Sequence, residues 1–190
     1  MPSLIKRAIL HPIRTGSIAP SSKRLVDRVL ELADIKAGER VIELGAGTGA
    51  FTRRIVEEVS DYTLFFALEI DEKMAKETQA KIPKATIYPD SATNIDRYLE
   101  QRGFNGCEVI ISSLPWVGMK ESIQDLLLRE IFNALNDSGR FLTIAYIHGI
   151  STRSGKRFRG MLEERFDGRV YRIGPVRQNL PPSYIYHCKK

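Results

Sequence analysis

Three glycines spaced by one residue stand between an apolar stretch and an amphipathic one. Val41-Ile42-Glu43-Leu44 runs into Gly45-Ala46-Gly47-Thr48-Gly49-Ala50, and a helix is predicted over 49–59. Glycine lets the backbone turn sharply and come close to a ligand. The helix that follows turns its free N–H groups toward that ligand. The pattern therefore predicts the first βα turn of a nucleotide-binding α/β domain.

Two cofactors fit this loop. With Ala50 in the last place, it matches the dinucleotide fingerprint G-x-G-x-x-G/A. The acidic Glu43 near the end of the strand favours S-adenosylmethionine over a pyrophosphate, so Glu43 is counted among the cofactor residues. The loop itself adds Gly45, Ala46, Gly47 and Gly49 to that predicted set. The alternative is a tight structural turn with no ligand.

An acidic residue ends the second predicted strand, over 63–69. Glu69 lies 24 positions after Gly45, and a carboxylate at this spacing can accept both ribose hydroxyl hydrogens. We predict that Glu69, with Ile70 beside it, contacts the cofactor at its ribose. The alternative role in this loop is a helix N-cap, for which Asp71 is the better candidate.

The loop after the third predicted strand, over 85–88, also carries an acidic residue. Asp90 can accept a hydrogen bond from the exocyclic amine of adenine, while a nearby N–H bonds a ring nitrogen. Ser91 follows directly and joins Asp90 in the predicted cofactor set. Aspartate is also common in turns, and a turn role is the alternative for Asp90.

The loop after the fourth predicted strand, over 107–113, is expected to stand opposite the reactive methyl of the cofactor. Its sequence is Ser112-Ser113-Leu114-Pro115-Trp116. Proline restricts Leu114 to an extended backbone, which can aim carbonyl groups at an incoming amine. Trp116 either walls the site and contacts a cationic amine through its ring face or packs under the loop. Ser113 is predicted to contact both cofactor and acceptor.

A sheet must position these loops, and apolar strands alternate with helices from Arg40 onward. The predicted strands are 40–44, 63–69, 85–88, 107–113, 140–147, 169–174 and 183–188, and the predicted helices are 49–59, 72–81, 94–101, 121–135 and 155–165. Short apolar strands between helices imply a parallel sheet covered on both faces. The last two strands join without a helix, which suits an antiparallel last strand. We predict an α/β fold with a doubly wound, Rossmann-like, seven-stranded sheet and an antiparallel strand near its edge.

The first 39 residues precede this alternation. Residues 2–11 predict a short amphipathic helix, and a second helix is predicted through Leu32 from a serine cap at Ser21 or Ser22. The basic residues around the first helix favour contact with an anionic membrane, and packing on the core is the alternative. We therefore predict a helical N-terminal segment over 1–39, with membrane contact and active-site cover as its roles, and a catalytic domain over 40–190.

Composition narrows the class of protein. The 190 residues suit one domain, and a net charge of +6 favours anionic partners such as nucleic acid, anionic lipid or a phosphorylated metabolite. The alternative is a surface of solvated lysines. The two cysteines and three histidines have no metal-ligand spacing, so no metal is predicted. Two isolated cysteines indicate a cytosolic protein, and no apolar run approaches the ~18 residues of a membrane span.

The motifs together resemble the class I S-adenosylmethionine-dependent methyltransferases, and most closely the bacterial phospholipid N-methyltransferases. The resemblance runs from the glycine loop through Ser112-Ser113-Leu114-Pro115-Trp116. It includes Gly16-Ser17-Ile18-Ala19-Pro20-Ser21-Ser22 before the core and Ala145-Tyr146-Ile147-His148-Gly149 after the fifth strand. It ends with Asn179-Leu180-Pro181-Pro182-Ser183-Tyr184-Ile185-Tyr186.

This resemblance implies methyl transfer from S-adenosylmethionine to the amine of phosphatidylethanolamine-type lipids. Ser113, Leu114 and Trp116 then line the acceptor site, and Tyr146 or Tyr184 orients the amine. His148 binds the lipid phosphate alongside Arg177, or acts as a base. The protein is expected to be cytoplasmic and peripherally associated with an anionic membrane. The number of methyl groups, another lipid amine such as an ornithine lipid, and the oligomeric state stay open.

The glycine turn and the Leu114-Pro115 loop are also similar to those of the rRNA adenine dimethyltransferases. That family resembles N-L-P-Y or N-P-P-Y at the acceptor loop, where an asparagine carbonyl grips the adenine amine, whereas Ser112 or Ser113 stands here. It also carries a helical RNA-binding domain after the core, and this sequence ends at Lys190. The basic run from Arg153 to Arg159 supports nucleic acid through phosphate contacts, or is a solvated helix start. RNA or DNA adenine methylation is therefore the alternative function, followed by a non-catalytic cofactor-binding module and, more distantly, a nicotinamide dehydrogenase.

Overall fold

A computed structural model describes residues 21–60 and 63–190. Within them the strands are β1 (Arg40–Leu44), β2 (Leu64–Leu68), β3 (Ile87–Tyr88), β4 (Cys107–Ser112), β5 (Leu135–Tyr146), β6 (Val170–Val176) and β7 (Ser183–Lys189). The α-helices are α1 (Lys23–Ala33), α2 (Ala50–Glu58), α3 (Glu72–Lys81), α4 (Ile95–Glu100), α5 (Glu121–Ala134), α6 (Ile147–Ile150) and α7 (Arg153–Arg165). Short 3-10 turns lie at Ala92–Asn94 and Trp116–Gly118.

The described strands form one seven-stranded sheet in the order β3-β2-β1-β4-β5-β7-β6. Neighbours from β3 to β5 pair in parallel, whereas β7 runs antiparallel to both β5 and β6. Strand β7 therefore lies second from the edge. The predicted Rossmann-like α/β sheet with an antiparallel strand near its edge is confirmed.

Alternate residues of the central strands enter two separate cores, one on each face of the sheet. Ile42 and Ile110 belong to the core that contains the apolar residues of α5 and α7. Val41 and Val109 belong to the core that contains those of α1 and α2. Period-two alternation with both sets buried is what a sheet covered on both faces requires.

Local capping sets where several helices begin. The Ser22 side chain accepts a hydrogen bond from the Leu25 N–H at 3.3 Å and starts α1. Asp71 accepts from the Met74 N–H at 3.0 Å and starts α3, as the N-cap alternative in the sequence predicted for it. Both fill acceptor roles that helix N-termini leave open.

Strand β5 differs from its predicted bounds at both ends. It begins at Leu135, which pairs with Cys107, and the register then shifts before the next pair, Val109 with Arg140. It ends at Tyr146, and the one-turn helix α6 follows in place of further strand. The early start therefore depends on a long-range pairing with β4.

The amphipathic helix predicted over 2–11 lies outside the described residues, as do Gly16 to Pro20 of the resemblance. The division at residue 39 stays a prediction, although α1 packs on the sheet with Leu25 and Val29 fully buried. The Ser22 N–H donates to Asn179 Oδ1 at 2.9 Å, between β6 and β7. Among residues 21–60 and 63–190, no helix combines the length and apolar character needed to cross a membrane.

Candidate active site

The loops that follow the parallel strands meet at one edge of the sheet, which we call the carboxyl edge. Leu44 at the end of β1 pairs with Leu68 and with Ser112, the last residues of β2 and β4. The antiparallel β7 starts at the same edge, because Ser183 pairs with Tyr146 and with Val176. In an open α/β sheet, ligands bind outside this edge.

The glycine loop (residues 45–50) and the loop after β4 (residues 112–116), which we call the acceptor loop, are joined directly. The Ser113 hydroxyl donates to the Gly45 carbonyl oxygen at 2.7 Å, and the Ser113 N–H donates to the Leu44 carbonyl at 3.1 Å. A Cβ atom on Gly45 would lie 3.1 Å from Leu114 Cδ2, and the residue has a φ of +86°. Glycine at 45 thus lets the acceptor loop lie against the turn.

Glu69 supports the glycine loop from the second strand. Its Oε2 accepts from the Gly47 N–H at 2.9 Å and its Oε1 accepts from the Asp71 N–H at 2.9 Å. Burial raises the pKa of this carboxyl, and the two N–H groups oppose that shift. The carboxylate therefore lies between the first and second strand loops, where a ribose ligand is predicted.

Glu43 is buried beneath the same loop with one oxygen free. Its Oε2 accepts from the Thr52 hydroxyl at 2.7 Å, while Oε1 has no hydrogen-bond partner among the described residues. Burial raises the pKa of Glu43 to about 8; the Thr52 hydrogen bond opposes the shift and the nearby Glu69 charge adds to it. An unpartnered buried acceptor is costly, so this oxygen is prepared for a donor or a cation.

Asp90 is held by its own loop and the helix that follows. Its Oδ1 accepts from the Ser91 N–H at 2.7 Å and from Asn94 Nδ2 at 2.8 Å, and its Oδ2 accepts from the Tyr98 hydroxyl at 2.9 Å. Arg97 adds a looser ion pair at 3.6 Å. A carboxylate offers about four acceptor sites, so Oδ2 keeps the capacity for one further donor. Its contact with adenine stays a prediction.

The Ser91 hydroxyl has a structural use that the sequence did not predict. It accepts from the Thr93 N–H at 3.2 Å and starts the 3-10 turn after β3. Ile70, also in the predicted cofactor set, packs partly buried against the core. Both remain beside the candidate cofactor position, but neither side chain is free of structural contacts.

Trp116 lies in the core, which corrects the expectation that its ring face meets the acceptor amine. Its ring stacks on Phe158 of α7 at a centroid distance of 4.6 Å and is 2% exposed. The indole N–H donates to Ser112 Oγ at 3.2 Å, and the Trp116 carbonyl accepts from Gln124 at 2.6 Å. The residue anchors the acceptor loop from below, as the packing alternative stated.

The two tyrosines that were predicted to orient the amine lie on opposite faces of the sheet. Tyr184 pairs with Ala145 in register, whereas Tyr146 is one residue further along β5, so the two tyrosines point to opposite faces. The ring of Tyr146 is parallel to that of His148 at 5.8 Å, and His148 is exposed. The Arg172 guanidinium lies 5.0 Å above the Tyr184 ring. The structure therefore groups Tyr146 with His148 and separates Tyr184 from them.

Comparisons with known proteins differ in how much of each chain they cover. The profile of the ribosomal RNA adenine dimethylase family matches residues 20–102. The ornithine lipid N-methyltransferase of Singulisphaera acidiphila is 28% identical over 182 residues, covering 94% of this chain and 90% of that protein. The ribosomal RNA small subunit methyltransferase A of a Synechococcus species is 24% identical over 135 residues, covering 70% of this chain but 47% of that protein.

The fold comparison agrees with the sequence comparisons. Magnesium protoporphyrin IX methyltransferase from Synechocystis PCC 6803, solved with bound S-adenosylmethionine, superposes with a TM-score of 0.66 at 16% identity. The match covers 88% of this chain and 79% of that one. The fold is that of the class I S-adenosylmethionine-dependent methyltransferases, and the sequence matches support the same assignment. Its cofactor is S-adenosylmethionine, and the dinucleotide alternative for the glycine loop is thereby excluded.

The residues of this methyltransferase fit that cofactor. S-adenosylmethionine carries a cationic amino group, ribose hydroxyls and an adenine amine, all of which donate hydrogen bonds. The carboxyl edge supplies a buried unpartnered oxygen on Glu43, the carboxylate of Glu69 and one remaining acceptor site on Asp90. The described residues contain no group of three His, Cys, Asp or Glu side chains able to hold a metal ion.

Several residues that hold the methyltransferase site in place were not predicted from the sequence. Thr52 bonds Glu43, Thr78 donates to the Gly47 carbonyl at 2.6 Å, and Tyr98 bonds Asp90. Thr52 and Thr78 are polar residues on the buried faces of their helices, next to Phe51 and Ala75. A polar residue on an otherwise apolar helix face was the available signal.

Proposed function

We propose that this methyltransferase transfers methyl groups to the amine of a membrane lipid headgroup, with phosphatidylethanolamine-type lipids as the first acceptor to test and ornithine lipids as the second. The observation that carries the proposal is how much of each relative the chain matches. The rRNA adenine dimethylase profile stops at residue 102, and the Synechococcus rRNA methyltransferase match covers 70% of this chain but 47% of that protein. The lipid methyltransferase match covers 94% of this chain and 90% of that protein, so it spans both the cofactor half and the acceptor half at nearly full length.

The acceptor loop also supports a lipid amine over an adenine. This loop has Ser112 and Ser113 at the place where the rRNA enzymes carry an asparagine. The Ser113 hydroxyl is already bonded to the Gly45 carbonyl, and Ser112 Oγ accepts from the Trp116 indole. Neither serine side chain thus substitutes for an amide that grips a base edge.

When bound, S-adenosylmethionine supplies a methyl group on a sulfonium, which is already an activated electrophile. The task of the chain is to hold a neutral nitrogen in line with the methyl–sulfur bond. An amine with a lysine-like pKa of ~10.4 is neutral in roughly one molecule in a few thousand at pH 7. Desolvation at the carboxyl edge favours the neutral form, so a loop packed on the core at Leu114, which is 8% exposed, aids the reaction.

His148 and Arg177 are the candidates for the lipid phosphate. Both are exposed at the carboxyl edge, His148 in α6 and Arg177 directly after β6. A cationic or N–H donor beside a phosphate stabilises it by charge-assisted hydrogen bonds. Holding the phosphate fixes the position of the amine, which lies two carbons away in an ethanolamine headgroup. His148 acting as a base is the alternative role.

The test is a competition between acceptor classes with labelled cofactor. The purified chain is incubated with vesicles that contain phosphatidylethanolamine, with vesicles that contain ornithine lipid, and with ribosomal RNA. We expect label in the chromatographed lipid and none in the RNA. Label in adenine of the RNA and none in either lipid would overturn the proposal. Tight cofactor binding without label in any acceptor would indicate a non-catalytic module.

RNA methylation remains the second candidate because of the rRNA adenine dimethylase match. The basic run that favoured it lies in α7, and part of it is engaged within the protein. Arg157 donates to Gln124 at 3.2 Å and pairs with Glu121 at 3.5 Å, and Arg159 donates to Glu163 at 2.7 Å. The run therefore offers fewer free cations to a phosphate backbone than its sequence predicts.

A further inference from the structure

Large apolar side chains are exposed at only three positions of the described chain. They are Ile147 at 41%, Tyr171 at 53% and Leu180 at 74%. Ile147 and Leu180 both lie at the carboxyl edge, because the Ile147 N–H donates at 2.8 Å to the carbonyl of Pro182, two residues after Leu180. Tyr171 lies near the other end of the sheet, where it pairs with His187. Single exposed apolar residues are ordinary on a protein surface. Two of the three lie close together at the carboxyl edge, so they are not evenly scattered.

The turn that carries Leu180 is held by a buried side chain. Asn179 is 1% exposed. Its Nδ2 donates to the Pro181 carbonyl at 2.8 Å and to Ser183 Oγ at 2.9 Å, and its Oδ1 accepts from the Ser22 N–H at 2.9 Å. The neighbour of Leu180 is therefore fixed from three sides, so the exposed leucine is presented by a built turn.

Charge is divided between the two halves of the chain. Residues 138–162 and 168–190 contain no Asp or Glu, yet they carry ten Lys and Arg: Arg140, Arg153, Lys156, Arg157, Arg159, Arg169, Arg172, Arg177, Lys189 and Lys190. At the carboxyl edge, Arg153, Lys156 and Arg177 are exposed on this side. The carboxylates of the edge, Glu43, Glu69 and Asp90, belong to the β1–β3 side.

We propose that Ile147 and Leu180, with Arg153, Lys156 and Arg177 around them, form a docking edge that meets an anionic lipid bilayer, with Leu180 inserted among the acyl chains. This deepens the proposed function and rests on it, because a lipid amine must reach the acceptor loop from a membrane. The docking edge adjoins that loop: Ser154, beside Arg153, donates to the Val117 carbonyl at 2.7 Å. A lipid entering here reaches the acceptor side first.

The chemistry of the docking edge fits a bilayer better than a nucleic acid. Stable attachment to a membrane takes two signals, such as an apolar insertion and a basic patch near anionic headgroups. Each basic residue near such a surface adds to binding, and an inserted leucine removes apolar area from water. A nucleic acid backbone would use the cations and leave Leu180 in water.

The test relies on the burial of the two native cysteines, which leaves a new surface cysteine free for labelling. Cys107 and Cys188 are both fully buried, so a new surface cysteine is the accessible thiol of the native protein. Leu180→Cys is labelled with a polarity-sensitive fluorophore, and Tyr171→Cys is the matched control at the other end of the sheet. Vesicles contain phosphatidylethanolamine with phosphatidylglycerol, and phosphatidylcholine vesicles serve as the neutral surface.

We expect the label at 180 to shift to the blue and brighten several-fold on anionic vesicles, while the label at 171 stays unchanged. An unchanged label at 180 on protein that sediments with the vesicles would overturn the proposal, since another surface would then bind. A label at 180 that is already blue-shifted without vesicles would also overturn it, because part of the chain itself would then cover the leucine. Absence of sedimentation with anionic vesicles would do the same.

A second variant separates docking from catalysis. Leu180→Gln is expected to weaken partition onto anionic vesicles about tenfold, and to lower methylation of vesicle lipids, while leaving methylation of a short-chain, water-soluble aminophospholipid unchanged. Equal partition of Leu180→Gln and the parent protein would contradict the docking edge. Vesicle binding through residue 180 with no methylation of any amine lipid would leave docking standing and overturn the proposed function.

Discussion

At the scale of single residues, Glu43 is a carboxyl whose protonation state depends strongly on its burial. Its pKa is about 8 in the folded protein because the carboxyl is buried, against 4.5 for the ordinary group. Between these values the unfolded chain has lost the proton and the folded chain retains it. The free energy of unfolding contributed by Glu43 is therefore full below pH 4.5 and falls by roughly 1 kcal/mol per pH unit as the pH rises toward 8.

Glu43→Gln is expected to remove this slope. Without cofactor, the variant and the parent should be similarly stable at pH 5, and the variant should be more stable by about 3 kcal/mol at pH 8.5. Urea unfolding at the two pH values measures the difference. Cofactor affinity should fall in the same variant, because the amide, unlike the carboxyl of Glu43, cannot ionise when the cationic amino group of the cofactor binds. A stability difference that does not change with pH would contradict the assignment of the raised pKa to Glu43.

At the scale of elements, the contact between the glycine loop and the acceptor loop can be tested by a single substitution. Gly45→Ala places a Cβ 3.1 Å from Leu114 Cδ2 and 3.3 Å from Ser113 Oγ at a positive φ. We expect a loss of about 1–3 kcal/mol in the free energy of unfolding and a fall in turnover larger than the fall in cofactor affinity.

The control for this variant is Gly103→Ala. Gly103 has a φ of +78°, and a Cβ there meets nothing within 4 Å. It therefore imposes comparable backbone strain without pressing on a loop. Gly103→Ala should lose about 1 kcal/mol of stability and keep full turnover. Equal turnover in both variants would show that the two loops are not coupled in catalysis.

Much of the element order could be predicted from the sequence because apolar runs of strand length alternate with helical periodicity. The burial of Trp116 could not be predicted, because it depends on stacking with Phe158 of α7, which lies far along the chain. The early start of β5 could not either, since Leu135 precedes a stretch rich in turn residues and is drawn into the sheet by Cys107. Polar supports such as Thr52 also depend on tertiary neighbours. Local pattern predicts elements, and contacts distant in sequence decide which face a side chain uses.

At the scale of the whole molecule, two surfaces are proposed for one membrane. The first is the basic amphipathic stretch at 1–14, outside the described residues, and the second is the docking edge around Leu180. Deleting residues 1–14 is expected to weaken sedimentation with anionic liposomes by at least tenfold. Combining the deletion with Leu180→Gln should multiply the two losses if the surfaces act independently. Unchanged sedimentation of the deletion variant would remove the N-terminal surface from this account.

Strand β7 has a consequence for how the molecule is made. It is the last strand along the described chain, yet it lies between β5 and β6, and β6 has no other hydrogen-bonded neighbour in the described sheet. When β6 has left the ribosome, its hydrogen-bonding partner β7 has not yet been released. One edge of β5 also lacks its partner strand at that stage. The sheet is completed only when β7 inserts between β5 and β6. Until residues 183–189 emerge, the nascent protein exposes two strand edges that a chaperone, or a neighbouring chain, can bind first.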